Sequence, residues 1–147
     1  MKKVFLMCVQ IARTIPAIRW VDMDKGQINK YDDRPPVAFP CMLVKTDYVR
    51  CENLGGRKQK CLVRITLRLA WDYVGETDFT MPEAALQRSL EYIDLVESVY
   101  KKFQGFNNDV VASALNRVSQ LEENRPDGLK VVNLVFETYI HDFSAAQ

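Results

Sequence analysis

The chain has 147 residues, a length typical of one domain, and we expect residues 1–147 to form a single domain. Hydrophobic residues make up 48% of the chain, which is enough for a packed core and too many for a disordered tail. The 20 Lys and Arg residues nearly balance the 19 Asp and Glu residues. Wholesale nucleic-acid binding, which usually accompanies strong net basicity, is therefore not indicated.

The cysteines at positions 8, 41, 51 and 61 include no CxxC pair, and His141 is the one histidine. Cys-rich zinc sites bring close ligand pairs, so no metal and no other cofactor is predicted. The first nine residues imitate a secretion signal, but their apolar run has six residues and Gln10 follows closely. We therefore expect a cytosolic, reduced protein with no membrane partner.

Hydrophobic spacing predicts a short helix over residues 2–14, which Pro16 ends. A short strand is predicted over residues 18–22. Residues 24–36 are polar and contain Gly26 and a Pro pair, so they are predicted to form a loop.

The next segment, residues 37–45, is apolar and extended, although Pro40 disfavours a central hydrogen-bonded position. Residues 46–59 are polar and contain two adjacent glycines, which predicts a long hairpin loop. Strict alternation then predicts a strand over residues 60–72 with one apolar face. That face comprises Cys61, Val63, Ile65, Leu67, Leu69 and Trp71.

A helix start is predicted at Thr80–Glu83, where Thr80 can cap, Pro82 suits the first turn and Glu83 can complete a capping box. One long helix is expected over residues 84–103, and Gly105 supplies the stop. Its predicted apolar face comprises Leu86, Leu90, Ile93, Val96, Tyr100 and Phe103. We expect Leu90 and Ile93 to pack on Ile65, Leu67, Leu134 and Phe136.

A final hairpin is predicted from strands over residues 114–122 and 129–142, joined by the turn residues 124–128. The apolar face of the last strand comprises Val132, Leu134, Phe136 and Ile140. The fold class is therefore α+β, with an antiparallel sheet of four to five strands and one long and one short helix on one face. The other face is half apolar and is a candidate partner surface. It carries Leu62, Val131, Val135 and Tyr139.

Chemistry has weak support in the sequence, and we predict no catalytic residue. No motif accompanies His141, and the adjacent carboxylates at positions 32–33 and 122–123 are typical of solvated turns. The Gly55–Lys58 segment lacks the spacing of a phosphate-binding loop and precedes a strand, whereas a phosphate cradle needs a helix N-terminus.

Five features follow one another from residue 36 onward. They are Pro36-Val37-Ala38-Phe39-Pro40 before a strand, a Gly-containing basic hairpin loop, Val63-Arg64-Ile65-Thr66-Leu67, the helix over 84–103, and a hairpin tip at Arg125-Pro126-Asp127-Gly128. In this order they resemble the tail terminator, or tail-completion, proteins of long-tailed bacteriophages. The first 35 residues contain a longer loop than the resemblance leads us to expect.

The resemblance implies a ring, usually six-fold, that caps the tail tube and joins it to the head-side connector. The implied partners are further copies of the chain, the tail tube protein, the connector protein and, in passing, DNA in the ring's lumen. The implied location is the host cytoplasm during assembly and then the virion. A neck or head-completion protein and an unrelated small-molecule enzyme or binding protein remain the alternatives.

Charge is segregated along the chain in a way that suits head-to-tail association. Residues 50–68 contain six basic residues and one acidic residue, whereas residues 72–97 contain seven acidic residues and one basic residue. The basic run could instead face DNA in the lumen, or both runs could simply be solvated. The predicted subunit interface comprises Arg50, Arg57, Lys58, Lys60, Glu91, Asp94, Glu97, Val131, Val135 and Tyr139.

Overall fold

The structure, a computed structural model, describes all residues from 1 to 147. The helices are α1 (Lys2–Ala12), α2 (Glu83–Ser89) and α3 (Glu91–Phe103), and a 3-10 turn, Ser144–Ala146, lies near the C-terminus. The strands are β1 (Trp20–Met23), β2 (Cys41–Gly55), β3 (Lys58–Trp71), β4 (Asn116–Glu122) and β5 (Lys130–Asp142). None of the helices is long and apolar enough to cross a membrane.

The five strands form one sheet in the order β1-β2-β3-β5-β4. All neighbouring pairs are antiparallel except β1 and β2, which run parallel in a pairing that joins Trp20 to Cys41. Helices α1 and α3 both contribute to the core on one face of this sheet. The predicted α+β class and the placement of the helices on one face are confirmed, whereas the parallel edge strand was not predicted.

The main core lies between that sheet face and the two helices. Both predicted apolar strand faces are confirmed, because every member of the β3 and β5 stripes is buried. Helix α3 meets the sheet at Phe103, whose ring lies 5.7 Å from that of Phe136. Trp71 continues the β3 stripe and contacts Tyr92 edge-on at 5.5 Å. Such aromatic pairs add to the area that the rings bury.

The predicted hairpin loop over residues 46–59 is wrong. Strand β2 continues to Gly55 and β3 begins at Lys58, so Gly56 and Arg57 alone form the turn. Their φ values are both positive, at 60° and 61°, as in a type I′ hairpin turn. Residues 49–58 are exposed on both faces. Without a buried face, the sequence has no reason to alternate, and its polar composition imitates a loop.

The predicted single long helix is bent at Leu90, which separates α2 from α3. Because α3 begins afresh at the bend, its buried face is not the predicted one: Val96 and Phe103 are buried as expected, but Ile93 is 47% exposed. Leu90 is only partly buried. The predicted packing of Leu90 and Ile93 on the sheet is therefore wrong. The buried face of α3 comprises Leu95, Val96, Val99 and Phe103.

The predicted capping box at the start of α2 does not form. Pro82 occupies the N-cap position, with no side-chain hydrogen bond to the helix. The Thr80 hydroxyl and backbone N–H both donate to the Asp78 carboxylate, which forms its own turn in the preceding loop. The predicted start of the helix is correct to within one residue of Glu83, but the interaction that was predicted to fix it does not form.

Residues 24–40, which we call the strap, cover part of the sheet face opposite the helices. Ile28 is fully buried there, and Val37 and Phe39 pack against the same small core. Val131 is also fully buried beneath the strap. Its prediction as an exposed interface residue is therefore wrong, because a loop predicted to be solvated covers it. The second core comprises Ile28, Cys41, Leu43, Ala70, Leu129 and Val131.

Most of the remaining predicted boundaries differ by one or two residues, but the extended segment predicted from residue 37 becomes strand β2 only at Cys41. Helix α1 ends at Ala12 rather than residue 14, and β4 begins at Asn116 rather than residue 114. The segment before β4 is held to β5, since the Ala112 N–H donates to the Tyr139 carbonyl over 2.7 Å. Pro40 precedes β2 by one residue and so removes no hydrogen bond from that strand's interior.

Candidate assembly surfaces

The end of the β2–β3 hairpin carries two cations that form no ion pair within the chain. We call residues 53–58 the hairpin tip. Arg57 makes no hydrogen bond or ion pair, and the Lys58 amine lies 5.2 Å from the Phe143 ring centroid. Leu54 is 51% exposed beside them. The tip thus offers one aliphatic side chain and two available cations to a partner.

Much of the remaining basic run is paired within the chain. Arg64 forms a 2.9 Å ion pair with Glu137 across to β5. Arg50 lies 3.9 Å from Glu52, and Lys60 lies over the Tyr139 ring at 4.6 Å. The predicted basic surface therefore contracts toward the hairpin tip.

Arg68, the last member of that run, is nearly enclosed by acidic side chains. Its guanidinium contacts Glu123 at 2.6 Å and Asp24 at 3.5 Å. It is therefore not available to a partner.

The predicted acidic surface lies on the solvent side of α3. Glu91 and Asp94 make no ion pair, whereas Glu97 forms a 2.8 Å pair with Lys101 one turn later. The hydrogen bond from Lys101 lowers the pKa of Glu97. Ile93 has nearly half of its surface exposed and lines the same groove as Glu97, whereas Glu91 lines a different cleft. Ile93 therefore gives one side of this acidic helix an exposed apolar residue.

A groove of about 310 Å³ runs from Ile93 between α3 and β4. We call it the α3 groove. Arg117 lies at its β4 side, with its guanidinium 3.8 Å from the Tyr100 ring centroid. Glu122 lies on the same rim and pairs with Lys130 at 2.9 Å. The apolar side chains that line the groove are Tyr92, Ile93, Val96, Tyr100 and Val132.

The hairpin tip and the α3 groove lie toward opposite ends of the sheet. The β3–β5 register places Gln59 opposite Asp142 at the tip end and Leu69 opposite Val132 at the groove end. Ten residues of strand separate these positions, which corresponds to roughly 33 Å. One chain therefore cannot close its own tip onto its own groove.

A network of ion pairs holds the strap to the sheet. Arg125 pairs with Glu123 at 2.6 Å and with Asp127 at 2.7 Å, and it also donates to the Ile28 carbonyl in the strap. Tyr31 donates to Asp127 over 2.9 Å from the same segment. These contacts link the β4–β5 turn to a segment almost one hundred residues earlier, so we call them the strap network.

The strap network strongly perturbs its carboxylates. Hydrogen bonds from Arg68 are the main cause of lowering the pKa of Glu123 to about 2, and Arg125 does the same for Asp127, whose pKa is also about 2. Burial opposes both changes. The same bonds raise the pKa of Arg125. The expectation that Glu123 belongs to a solvated turn is therefore wrong.

A cleft of about 960 Å³ lies over the strap network. Of its ten lining residues, one is hydrophobic, and its main charged side chains, Arg68, Glu123, Arg125 and Asp127, are engaged with one another. A binding pocket for a small molecule is usually apolar with a few polar groups directed at the ligand. This cleft is better explained as the outer surface of a structural ion-pair network.

The other predicted residues do not converge on a chemical site. His141 is exposed and stacks on Phe143 at 5.5 Å, and Asp32 and Asp33 are exposed. No group of three or more His, Cys, Asp or Glu side chains is placed to hold a metal ion. Val135 and Tyr139 lie half-buried on the open sheet face, where a partner can still contact them.

Two residues central to these surfaces were not selected from the sequence. Leu54 was assigned to a loop, and Ile93 was assigned to the core. Phe79, in the acidic segment before α2, is 97% exposed and was also missed. An isolated large apolar residue in a polar run, as at Leu54 and Phe79, was the available signal.

Comparison with known proteins gives matches among solved structures alone. No family model matches the chain, and no curated protein matches it. Among solved structures, it is similar to a chain of the virion of a native gene transfer agent (GTA) particle, with 12% sequence identity and a TM-score of 0.55. The match covers 94% of this chain and 92% of that chain. At this identity the likeness shows a shared fold.

Proposed function

We propose that this protein is a structural component of a phage or phage-like virion that forms a ring capping the tail tube and joins the tail to the head-side connector. The observation that carries the proposal is the fold shared, over nearly the whole chain, with a chain of a GTA virion. The sequence features that resemble tail terminator proteins support the finer assignment. No enzymatic activity is part of the proposal.

The surfaces of the molecule are consistent with assembly. A cationic hairpin tip and an acidic helix lie toward opposite ends of one chain, and head-to-tail association of identical subunits uses two different surfaces of this kind. A heterologous contact of this kind produces a ring when its rotation closes. The proposed ring is a hexamer whose lumen passes DNA, and its two faces meet the tail tube protein and the connector protein.

The proposal is tested by the mass of the purified protein, alone and mixed with purified tail tubes. The chain mass is 17.0 kDa, so light scattering separates a monomer from a six-fold ring without ambiguity. We expect a ring, or a monomer that becomes a ring on tube ends, with electron micrographs showing it at one end of each tube. A protein that stays monomeric and binds no tube would refute the proposed function.

The same experiment distinguishes the proposed function from the nearest alternative. A neck or head-completion protein would bind portal-containing heads and leave the tube ends bare. Incubation with heads and with tubes in parallel therefore distinguishes the two positions within the virion.

A further inference from the structure

We propose that the hairpin tip of one copy docks on the exposed side of α3 of the next copy, at the Ile93 edge of the α3 groove, and that this contact joins the subunits of the ring. Leu54 covers the exposed Ile93, while Arg57 and Lys58 face the carboxylates of Glu91 and Asp94. The inference rests on the proposed function, and it names the partner of these surfaces as a second copy of this chain.

The first argument is charge complementarity at the groups that remain available. Arg57 and Lys58 lack internal ion pairs, as do Glu91 and Asp94. In the basic run, Arg50, Arg64 and Arg68 form ion pairs within the chain, which leaves the charges of the hairpin tip available. In the acidic run, only Asp72 and Glu97 form ion pairs, and Glu91 and Asp94 are the unpaired carboxylates that lie on α3. Opposed charges of this kind set the register of a contact and accelerate encounter.

The second argument is the exposed apolar residue next to each charged region. Leu54 and Ile93 are each about half exposed. Ile93 adjoins a groove of about 310 Å³ with further apolar lining, which is large enough for an aliphatic side chain. Interfaces typically combine apolar contacts with charges at the rim. Contact between Leu54 and Ile93, at the edge of the groove, would leave the two cations of the tip on the solvent side of α3, where Glu91 and Asp94 lie outside the groove lining.

The third argument is geometric. The tip and the groove lie roughly 33 Å apart along β5, so they cannot meet within one chain. Each copy therefore presents one tip and one groove to two different neighbours. The basic residue at the groove, Arg117, is held over Tyr100 and donates to Gln120, so it is directed along the groove side rather than at Glu91 or Asp94.

Charge reversal tests the electrostatic part of the contact. We expect Arg57→Glu with Lys58→Glu to weaken self-association roughly tenfold or more at low salt. Adding Glu91→Lys and Asp94→Lys in the same chain should restore it, because both sides of the contact are then exchanged. The matched control is Lys2→Glu with Lys3→Glu, which makes the same change of charge at exposed positions of α1. This control should leave the mass of the assembled ring in solution unchanged.

Cysteine cross-linking tests the position of the contact directly. In a Cys51→Ser background, the remaining native cysteines are buried. A chain carrying both Leu54→Cys and Ile93→Cys should give a ladder of covalent oligomers up to the ring size after mild oxidation. Either cysteine alone should give at most a trace of dimer. Circular dichroism spectra like those of the wild type would show that the variants fold.

The outcomes separate the inference from the proposed function. A wild-type ring with no ladder, and with no effect of charge reversal, would overturn the inference and leave the proposed function standing. Rings of full size from the Arg57→Glu, Lys58→Glu chain that yield non-infectious particles would also overturn it, in favour of a tip that faces DNA. A wild-type protein that is monomeric with and without tubes would overturn both.

Discussion

Replacing Glu123 with glutamine removes one charge from the centre of the strap network while it keeps the shape of the side chain. Glu123 bridges Arg68 and Arg125, and it also accepts a hydrogen bond from Asn133 over 3.0 Å. Its side chain retains 22% of its exposure, so the bridge is largely removed from solvent. Breaking a pair of this kind leaves its cations incompletely compensated.

The magnitude follows from the pKa of this carboxyl. A pKa lowered from 4.5 to about 2 corresponds to about 3 kcal/mol of preference for the ionised group in the folded state. Since Arg68 keeps Asp24 and Arg125 keeps Asp127, we expect Glu123→Gln to lower the free energy of unfolding by about 2–3 kcal/mol at pH 7. The matched control is Glu137→Gln. Glu137 is as exposed as Glu123, but its one ion-pair partner, Arg64, is 46% exposed, so this change should cost less than about 1 kcal/mol.

The pH dependence supplies a second check on the same variant. The folded-state pKa of Glu123 lies below its unfolded value, so its contribution is fully present above about pH 4.5 and is lost as the pH falls toward about 2. Urea denaturation of wild type and Glu123→Gln should therefore show a gap that closes over this range. A gap below about 0.5 kcal/mol at pH 7, or one that does not change with pH, would refute the reasoning.

Three further predictions concern the core, the cysteines and ligands. Phe103→Ala should lower the free energy of unfolding by about 3–5 kcal/mol, because Phe103 is fully buried. The change Ile93→Ala should lower it by less than about 1 kcal/mol, since Ile93 is nearly half exposed. Equal effects of the two changes in urea denaturation would mean that α3 turns its other face to the sheet. A thiol reagent should modify Cys51 alone in the folded protein, and mass spectrometry should find the other three cysteines labelled only in denaturant. The reason is burial, which raises the pKa values of Cys8 and Cys61 to about 12 and the pKa of Cys41 to about 11. Chelators should leave the melting temperature unchanged, and stoichiometric metal in the purified protein would contradict this.

The parts of the fold that the sequence predicted are those in which one physical constraint dominates. Strands β3 and β5 lie at the centre of the sheet with one face on the helices, so burial imposes a strict alternation on them. The outer half of the β2–β3 hairpin has no buried face. Its strand structure comes from pairing with a neighbour and a two-residue turn, neither of which requires apolar alternation.

The strap shows a second limit, which is that a loop can be recognised without its position being known. Residues 24–40 contain few large apolar side chains, and Ile28 alone among them is fully buried. Its position depends on contacts with Arg125 and Asp127, which are distant in sequence. Composition predicts that the segment lacks regular structure, but it carries no information on which sheet face the segment covers.

Prediction of the candidate site was limited because the strand register was unknown. The charge runs were correctly located, but the availability of each charge depends on the residue opposite it. Pairing β3 with β5 places Glu137 beside Arg64, and the β4–β5 turn places Glu123 beside Arg68. Because the register was unknown, those two arginines were counted with Arg57 and Lys58, which the fold leaves unpaired.

The two edges of the sheet favour assembly through side chains rather than through strand addition. Beyond Val44, β2 has no neighbour on its outer side, and β4 is the opposite edge. An unpaired edge is a template for uncontrolled pairing, and a β-bulge disrupts such a template. Both edges carry an irregularity, at residues 48–50 in β2 and 117–119 in β4. The interrupted edges therefore disfavour open-ended sheets, and in the proposed ring the hairpin tip and α3 would supply the one defined contact that closure requires.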